Sequence, residues 1–305
     1  MMSETGRILR IEKLSSFDGD GLRTVIFLKG CPLACRWCST PESQRRDTDF
    51  GLNRNACTSC FSCVNACPEQ ALAYDIKKAG FLRDPAKCTD CRACIVACPT
   101  GAAVAWGYTA TAQEIYKEVE KDSLFYFHSG GGVTLSGGEP LSQPAFAAEL
   151  LETCLTHGMG TAVETCGQVP WENIEKVIPF VDTLFFDLKH MDDNRHREIT
   201  GVGTARIHDN LARLDQCDHP FSLIVRMPVI PGCNDEPENI QALADHCRTL
   251  NKLTQIQLLP YHRLGMETYR RMNIPYPLDG IDIPTPETME DHLSLLGDLP
   301  ARIGG

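Results

Sequence analysis

The stretch GCPLACRWCSTPES, residues 30–43, carries three cysteines, Cys31, Cys35 and Cys38, spaced x3 and then x2. Thiolates this close together on a loop can converge on one iron–sulfur cube, which ordinarily takes four cysteine ligands. No fourth cysteine stands nearby. Three sulfurs would leave one iron with an open position, the logic of a catalytic metal site that withholds a protein ligand so that substrate can bind. Pro32 and Trp37 on the same loop could shield the cube from water. The plainer alternative is that a distant cysteine, with Cys166 as the candidate, completes an ordinary cluster.

Two further segments repeat: CTSCFSCVNACPEQA from Cys57 and CTDCRACIVACPTGA from Cys88. Each reads C-x2-C-x2-C-x3-C-P, and each cysteine of the first copy has its counterpart 31 residues later. This is the two-cluster ferredoxin pattern, in which the fourth cysteine of each run ligates the other cube. The expected sets are therefore Cys57, Cys60, Cys63 and Cys98, and Cys88, Cys91, Cys94 and Cys67. Four-cysteine zinc sites usually come as two separated pairs, so iron–sulfur is the better reading. Cubes saturated in this way pass single electrons and bind no substrate. The segment between the runs fits a hairpin with Lys78-Ala79-Gly80 at or near its tip.

The chain has 305 residues, 16 cysteines and a formal net charge of −11. No basic run is present, which argues against nucleic acid, because neutralising phosphates needs clustered Lys and Arg. No stretch reaches the ~18 apolar residues of a membrane span. The N-terminus lacks the apolar run and cleavage site of a signal peptide. A cytoplasmic protein is expected, and its cysteines read as metal ligands rather than disulfides. Cys154, Cys166, Cys217, Cys233 and Cys247 are scattered and read as small buried apolar residues.

These chemical residues need a frame. TVIFL (24–28), GVTLSGGE (132–139), TAVETCG (161–167), VDTLFFDLKH (181–190), FSLIVRMPVIPG (221–232) and TQIQLLPY (254–261) read as strands. Helical segments separate them; one opens on a capping box, Thr111 to Glu114, another on Pro144 with Gly158 as its stop. Six such units predict an α/β protein, a partial (β/α)6 TIM-like barrel over residues 1–48 and 106–305. A ferredoxin-like domain with two [4Fe–4S] clusters is expected as an insert at 49–105, dependent on its clusters for stability. An open doubly wound sheet is the alternative. The barrel is favoured because unusual polar residues gather at strand C-termini, where barrel active sites are built.

C-x3-C-x2-C after a strand resembles the signature of the radical SAM superfamily. More narrowly, DGDGLRTVIFLKGCPLACRWCSTPES resembles the opening of the glycyl radical enzyme activating enzymes, the family of pyruvate formate-lyase activating enzyme. The likeness extends to DLKHMD (187–192), VRMPVIPG (225–232) and LLPYHRLG (258–265), nearly the whole chain. The two ferredoxin runs are similar to those of the longer members. Asp20 stands where the family usually has proline, and Thr40 where it often has asparagine; neither is an expected ligand.

The resemblance implies the chemistry. Cys31, Cys35 and Cys38 would hold a cube whose open iron chelates S-adenosylmethionine; one-electron reduction splits the sulfonium, and the resulting 5′-deoxyadenosyl radical takes hydrogen from a glycine of a partner glycyl radical enzyme. Gly137, Gly138 and Glu139 resemble the motif that holds the methionine amino group. Trp37 would lie against adenine. Glu164, Thr165 and Asp187 resemble positions that hold a monovalent cation, and Lys189, Arg226 and His262 resemble contacts to the methionine carboxylate or ribose. Three clusters are implied in all, the two in the insert either relaying electrons or docking the partner, with ferredoxin or flavodoxin as electron donor and a chain that is monomeric by itself. Two rivals differ in class: a radical SAM enzyme acting on a small molecule or peptide, and an electron carrier, which leaves the three-cysteine loop without purpose.

Overall fold

The computed structural model describes residues 3–75 and 80–304. β1 (Thr5–Ser15) and β2 (Arg23–Leu28) pair antiparallel. The insert holds β3 (Asp49–Leu52), β4 (Leu72–Asp75), β5 (Gly80–Arg83) and β6 (Ala103–Trp106). Then come β7 (Tyr108–Thr111), β8 (Gly132–Gly137), β9 (Gly160–Thr165), β10 (Thr183–Asp187), β11 (Ser222–Val229), β12 (Leu253–Pro260) and β13 (Ala301–Ile303). One sheet of nine strands runs β7-β1-β2-β8-β9-β10-β11-β12-β13, parallel from β2 onward.

From β2 the strand order ascends without reversal. A doubly wound sheet reverses its order at a switch point; this one does not, so right-handed crossovers place the helices on one face. The parallel strands are buried along nearly their whole length, as strands covered on both faces must be. Ile26, Leu135, Val163, Phe186, Val225 and Leu258 belong to the main core. The six expected strands are all present. β1, β7 and β13 are additional; β7 and β13 form the two sheet edges, and β1 lies between β7 and β2. The charged residues of RILRIEKL hide the strand character of β1.

Local signals act as chemistry dictates. Thr111 caps the helix Ala112–Glu120 with both bonds of the capping box: the Glu114 amide donates to Thr111 Oγ1 at 3.2 Å, and the Thr111 amide donates to Glu114 Oε2 at 2.8 Å. Pro144 starts the helix Pro144–Thr156, and Gly158, at φ +73°, takes the left-handed position just past its end.

β3 pairs antiparallel with β6, Asp49 opposite Trp106, and closes the insert at its base. The sequence repeat is also a backbone repeat. Ser59, Phe61 and Gln70 have positive φ, and so do Asp90, Arg92 and Gly101, each 31 residues on. Turn hydrogen bonds repeat with the same offset: Val64 to Phe61 and Ile95 to Arg92, Cys67 to Val64 and Cys98 to Ile95. The apolar cluster here is small, with Cys63, Leu72 and Ala103 as its buried members. β4 and β5 form the expected hairpin; its tip residues Lys78 and Ala79 lie outside the described residues, and Gly80 is already in β5, opposite Asp75.

A buried ion pair ties the insert to the frame. Lys29, which follows β2, has its ammonium 3.0 Å from Asp49, the first residue of β3, and both side chains are fully buried. Arg45 also pairs with Asp49. Asp90 in the second cysteine run accepts from Thr48 at 2.6 Å and lies 3.5 Å from Arg7.

Candidate active site

At the C-terminal ends of the parallel strands lies a cavity of about 480 Å³. Cys31, Cys35 and Cys38 line it, with Trp37 of the same loop. Opposite stand Gly137 and Gly138 from the end of β8, Glu164 and Thr165 from β9, Asp187 and Lys189 from and just after β10, Arg226 from β11, and His262 beyond β12. His262 is exposed at the mouth. Residues from six separate segments thus meet, as side chains at strand C-termini do in a barrel.

The cysteine loop is held at several points. The Gly30 and Cys31 amides donate to Ser43 and Gln44 carbonyls, and the Ala34 and Arg36 amides donate to Thr200 and Ile199. Trp37 is buried among Ile199, Ile230 and Tyr261 while edging the cavity. Leu33, buried, lines the cavity; Pro32 is exposed and does not, so the expected shield is Leu33 and Trp37. Burial pushes the thiols of Cys35 and Cys38 up, Cys38 to about 11. Bare, these two are neutral thiols; a bound iron–sulfur cube is what would hold them as thiolates. The donor set fits such a cube.

The two glycines at the end of β8 are required by packing against the chain itself. Gly137 has φ +106°, and a Cβ there would stand 2.5 Å from the Leu28 amide nitrogen. A Cβ on Gly138 would stand 2.5 Å from the Gly30 carbonyl oxygen. The Gly138 amide donates to Leu28 at 2.8 Å and the Glu139 amide to Gly30 at 2.7 Å, so this turn braces the start of the cysteine loop.

Glu139 does not face the cavity. It is fully buried, and its carboxylate accepts from the Leu141 amide, the Thr165 hydroxyl, the Cys166 amide and the Cys166 thiol. Thr165 lines the cavity but turns its hydroxyl to Glu139, 2.9 Å from each oxygen.

The charged residues form a chain across four strands. Lys189 is 2.7 Å from Asp187; Asp187 is 3.1 Å from Arg226 Nε; Arg226 is 2.7 Å from Glu164, which accepts from Ser136 Oγ. Arg226 also lies 4.8 Å over the Phe185 ring. The parallel register that sets Asp187 beside Arg226 makes this possible. Burial alone would discharge Arg226 and Lys189, but Glu164 and Asp187 outweigh it for the first and Asp187 for the second, so both are held more firmly cationic than usual. Burial raises Asp187, yet Lys189 and Arg226 overcome that and hold it below the usual carboxylate range. Glu164 and Asp187 are thus committed to Arg226. Among the described residues no group of three His, Cys, Asp or Glu side chains is arranged to hold a single metal ion.

In the insert, Cys67 lines one pocket with Cys88, Cys91 and Cys94. Cys63, raised by burial, has Cys98 and Cys57 as neighbours, and Cys94, likewise raised, has Cys67 and Cys88. Each run thus meets the fourth cysteine of the other.

A family model described as the radical SAM superfamily matches residues 89–244, and one described as a 4Fe-4S dicluster domain matches residues 56–102. The chain is 44% identical over 277 residues to the isethionate sulfite-lyase activating enzyme of Oleidesulfovibrio alaskensis, covering 90% of this chain and 89% of that one. It is 39% identical over 285 residues to the choline trimethylamine-lyase activating enzyme of the same organism, covering 92% and 91%. The chain belongs to the radical SAM family of glycyl radical enzyme activating enzymes. SuiB of Streptococcus suis, solved with its precursor peptide SuiA, shares the fold: TM-score 0.53, 14% identity, 92% of this chain and 48% of that one.

Several cavity residues of this activating enzyme escaped the sequence reading. Phe17 and Asp18 reach it from the β1–β2 connection, and Tyr261 forms part of its wall. Cys166, just past β9 and the candidate fourth ligand named from the sequence, is buried and lines it as well, its thiol turned to Glu139. The neighbouring DGDG of the first two was a signal, since polar-glycine runs mark tight connections. His190 packs beside Glu236 at 3.7 Å, away from the cavity lining.

Proposed function

We propose that Cys31, Cys35 and Cys38 hold a site-differentiated [4Fe–4S] cube in this cavity, that S-adenosylmethionine binds beside it, and that the radical made there takes hydrogen from one glycine of a large partner enzyme. The observation that carries this reading is the meeting of three loop thiols and a charge-balanced chain of side chains in one 480 Å³ cavity. That size suits a nucleotide-sized ligand.

When bound, the reduced cube and S-adenosylmethionine supply a 5′-deoxyadenosyl radical; the chain's residues bind, orient and exclude. Lys189 and Arg226 offer cations to a methionine carboxylate, and Glu164 and Asp187 hold those cations in place. The pairs are preformed, so little reorganisation accompanies binding. Leu33, Trp37 and Tyr261 give apolar walls that keep water from a reactive intermediate. A cation bound by Glu164, Thr165 and Asp187 would have to share carboxylates that Arg226 already neutralises, and is not part of this reading.

Residues 49–105 are read as a ferredoxin-like domain whose two cubes take Cys57, Cys60, Cys63 and Cys98, and Cys88, Cys91, Cys94 and Cys67. They relay electrons from a ferredoxin or flavodoxin to the cavity. The remainder, 1–48 and 106–305, is a partial (β/α)6 barrel, monomeric by itself, whose open side admits a peptide loop. Among the described residues no helix is long and apolar enough to cross a membrane. The 44% identity to isethionate sulfite-lyase activating enzymes makes such a lyase the first partner to test.

The test is anaerobic incubation of reduced, iron-loaded protein with S-adenosylmethionine and an isethionate sulfite-lyase, read by electron paramagnetic resonance. A glycyl doublet on the lyase, with 5′-deoxyadenosine formed alongside, is expected. No 5′-deoxyadenosine with or without partner would refute the reading.

A further inference from the structure

Beside the catalytic cavity lies a second one, of about 210 Å³, that the chemistry proposed above does not use. Strand register places it. Asp187 on β10 stands beside Arg226 on β11, Arg226 beside Gln257 on β12, and Gln257 beside Arg302 on β13. Asp187 and Arg226 line the catalytic cavity; Gln257 and Arg302 line the second. Phe185 and Ile224, two residues earlier on their strands and so on the same face, line it one layer down. The β1–β2 connection borders both spaces: Phe17 and Asp18 line the first, Gly19 and Asp20 the second. The second cavity therefore continues the first toward the β13 edge of the sheet.

Its wall is short of partners. Gln257 is fully buried, and its Nε2 donates to Gln255 Oε1 at 3.0 Å, but its Oε1 has no hydrogen-bond partner among the described residues. A buried carbonyl oxygen left unpaired is costly and calls for a donor. Asp20 and Arg302 stand exposed at the rim, and neither forms an ion pair among the described residues. Asp20 is also the position where the opening motif departs from the family pattern. These two charges cancel, and the rest of the polar lining is hydroxyl and amide, from Thr183, Ser222, Thr254 and Gln255. A neutral wall of mixed donors and acceptors matches a polypeptide, which carries one N–H and one C=O per residue. It suits a polyanion poorly.

The reach is right as well. A substrate glycine enters the catalytic cavity as part of a chain, so its neighbours need contiguous space. Adjacent strands are ~4.8 Å apart, which puts the Arg302 backbone ~10 Å from that of Arg226. An extended chain covers that span in roughly three residues.

We propose that the second cavity is a subsite for the partner's polypeptide: it takes the roughly three residues on one side of the glycine, one N–H of that segment donates to Gln257 Oε1, and Asp20 accepts from another. The proposal rests on the reading that the catalytic cavity radicalises a glycine of a partner enzyme, and it adds where the flanking chain lies and which residues grip it.

The test compares iron-loaded wild type, Q257M, D20A and I224F, kept anaerobic with S-adenosylmethionine present. The probes are synthetic peptides of about nine residues centred on the radical glycine of an isethionate sulfite-lyase. One is whole, one is cut back to the glycine on its N-terminal side, and one on its C-terminal side. Isothermal titration calorimetry gives each Kd. In wild type, one truncation should weaken binding about tenfold and the other far less. Q257M removes the unpaired acceptor and I224F fills the space with a ring, so both should bind the whole peptide about tenfold more weakly than wild type does. The truncation that hurts wild type should then cost these two variants almost nothing, because the contact is already gone. D20A should show the same pattern at smaller size. A merely structural role for Gln257 would weaken every peptide alike. Should Q257M fail to fold by circular dichroism, I224F, which leaves Gln257 in place, decides by the same criterion. The proposal is overturned if neither truncation weakens wild-type binding, or if wild type and variants lose equally on truncation, the result for a cavity that holds water only. A wild-type protein that makes no 5′-deoxyadenosine would instead refute the proposed function, and that outcome is read without any peptide.

Discussion

Replacing Arg226 by methionine removes the cation shared by Glu164 and Asp187 while keeping much of the side chain's length and its contact with Phe185. The two carboxylates are then unequally served. Asp187 retains Lys189 at 2.7 Å, whereas Glu164 keeps a hydroxyl partner, Ser136. Their side chains are 14% and 18% exposed, so Glu164 is left as a nearly buried charge without a counter-ion. Stranding a buried partner costs about 3–5 kcal/mol; this rim of the cavity admits some water, so the lower figure applies. Unfolding entropy is about 2.1 cal/mol/K per residue, and for 305 residues a loss of ~3 kcal/mol lowers the melting temperature by roughly 5 °C. Anaerobic circular dichroism melts of iron-loaded R226M, E164Q and the double variant measure this. Removing the stranded charge should restore much of the loss, with a coupling of at least about 1.5 kcal/mol between the two sites. An R226M melt within ~1 °C of wild type, or strictly additive effects, would show that the pair is not the buried network inferred from these distances.

Three other outcomes follow from the same geometry. G138A places a Cβ 2.5 Å from Gly30 oxygen and 3.0 Å from Ser43 oxygen, both backbone atoms, so the cysteine loop must move; iron content should fall by about a third, the share of one cube in three, and a full iron count would contradict this. Changing Cys57, Cys60 and Cys63 together to alanine should leave the cube held by Cys67, Cys88, Cys91 and Cys94, so that about eight irons of twelve remain, and adding C67A should remove roughly four more; loss of both insert cubes in the triple variant would refute the crossed ligation. His208, half-buried with its ring 4.9 Å from that of His246, has its pKa depressed by desolvation and by His246 from 6.5 to about 4. Its unfolded form takes up a proton at higher pH than its folded form, so stability should fall as pH drops from about 6.5 to about 4, by roughly 1–3 kcal/mol after discounting its partial exposure. H208F should flatten urea-unfolding free energies over that window, and an unchanged slope would assign the pH dependence elsewhere.

Much of the site could be read before folding was considered. Ligand spacing is a local property, so Cys31, Cys35 and Cys38 and the two four-cysteine runs declared their chemistry in sequence. The six strands and the capping box at Thr111 were legible because periodicity and capping are also local. The outer strands were not: β1, between β2 and β7, carries charges along its length, and β13 has three residues. Direction was hardest. Glu139 and Thr165 stand at strand ends in the manner of cavity residues, yet they bond to each other, and Glu139 also accepts from Cys166. Glu164, Asp187 and Arg226 read as separate binding groups and proved to be one ion-paired chain.

The sequence by itself determined which atoms can bind iron and in what grouping, because thiolate chemistry and short loop spacings do not wait on distant contacts. The tertiary structure decided which way the strand-end side chains turn. That depends on register between strands far apart in the chain, Asp187 opposite Arg226 and β8 against β2, and on whether each buried polar atom finds its partner in a neighbour or in the cavity.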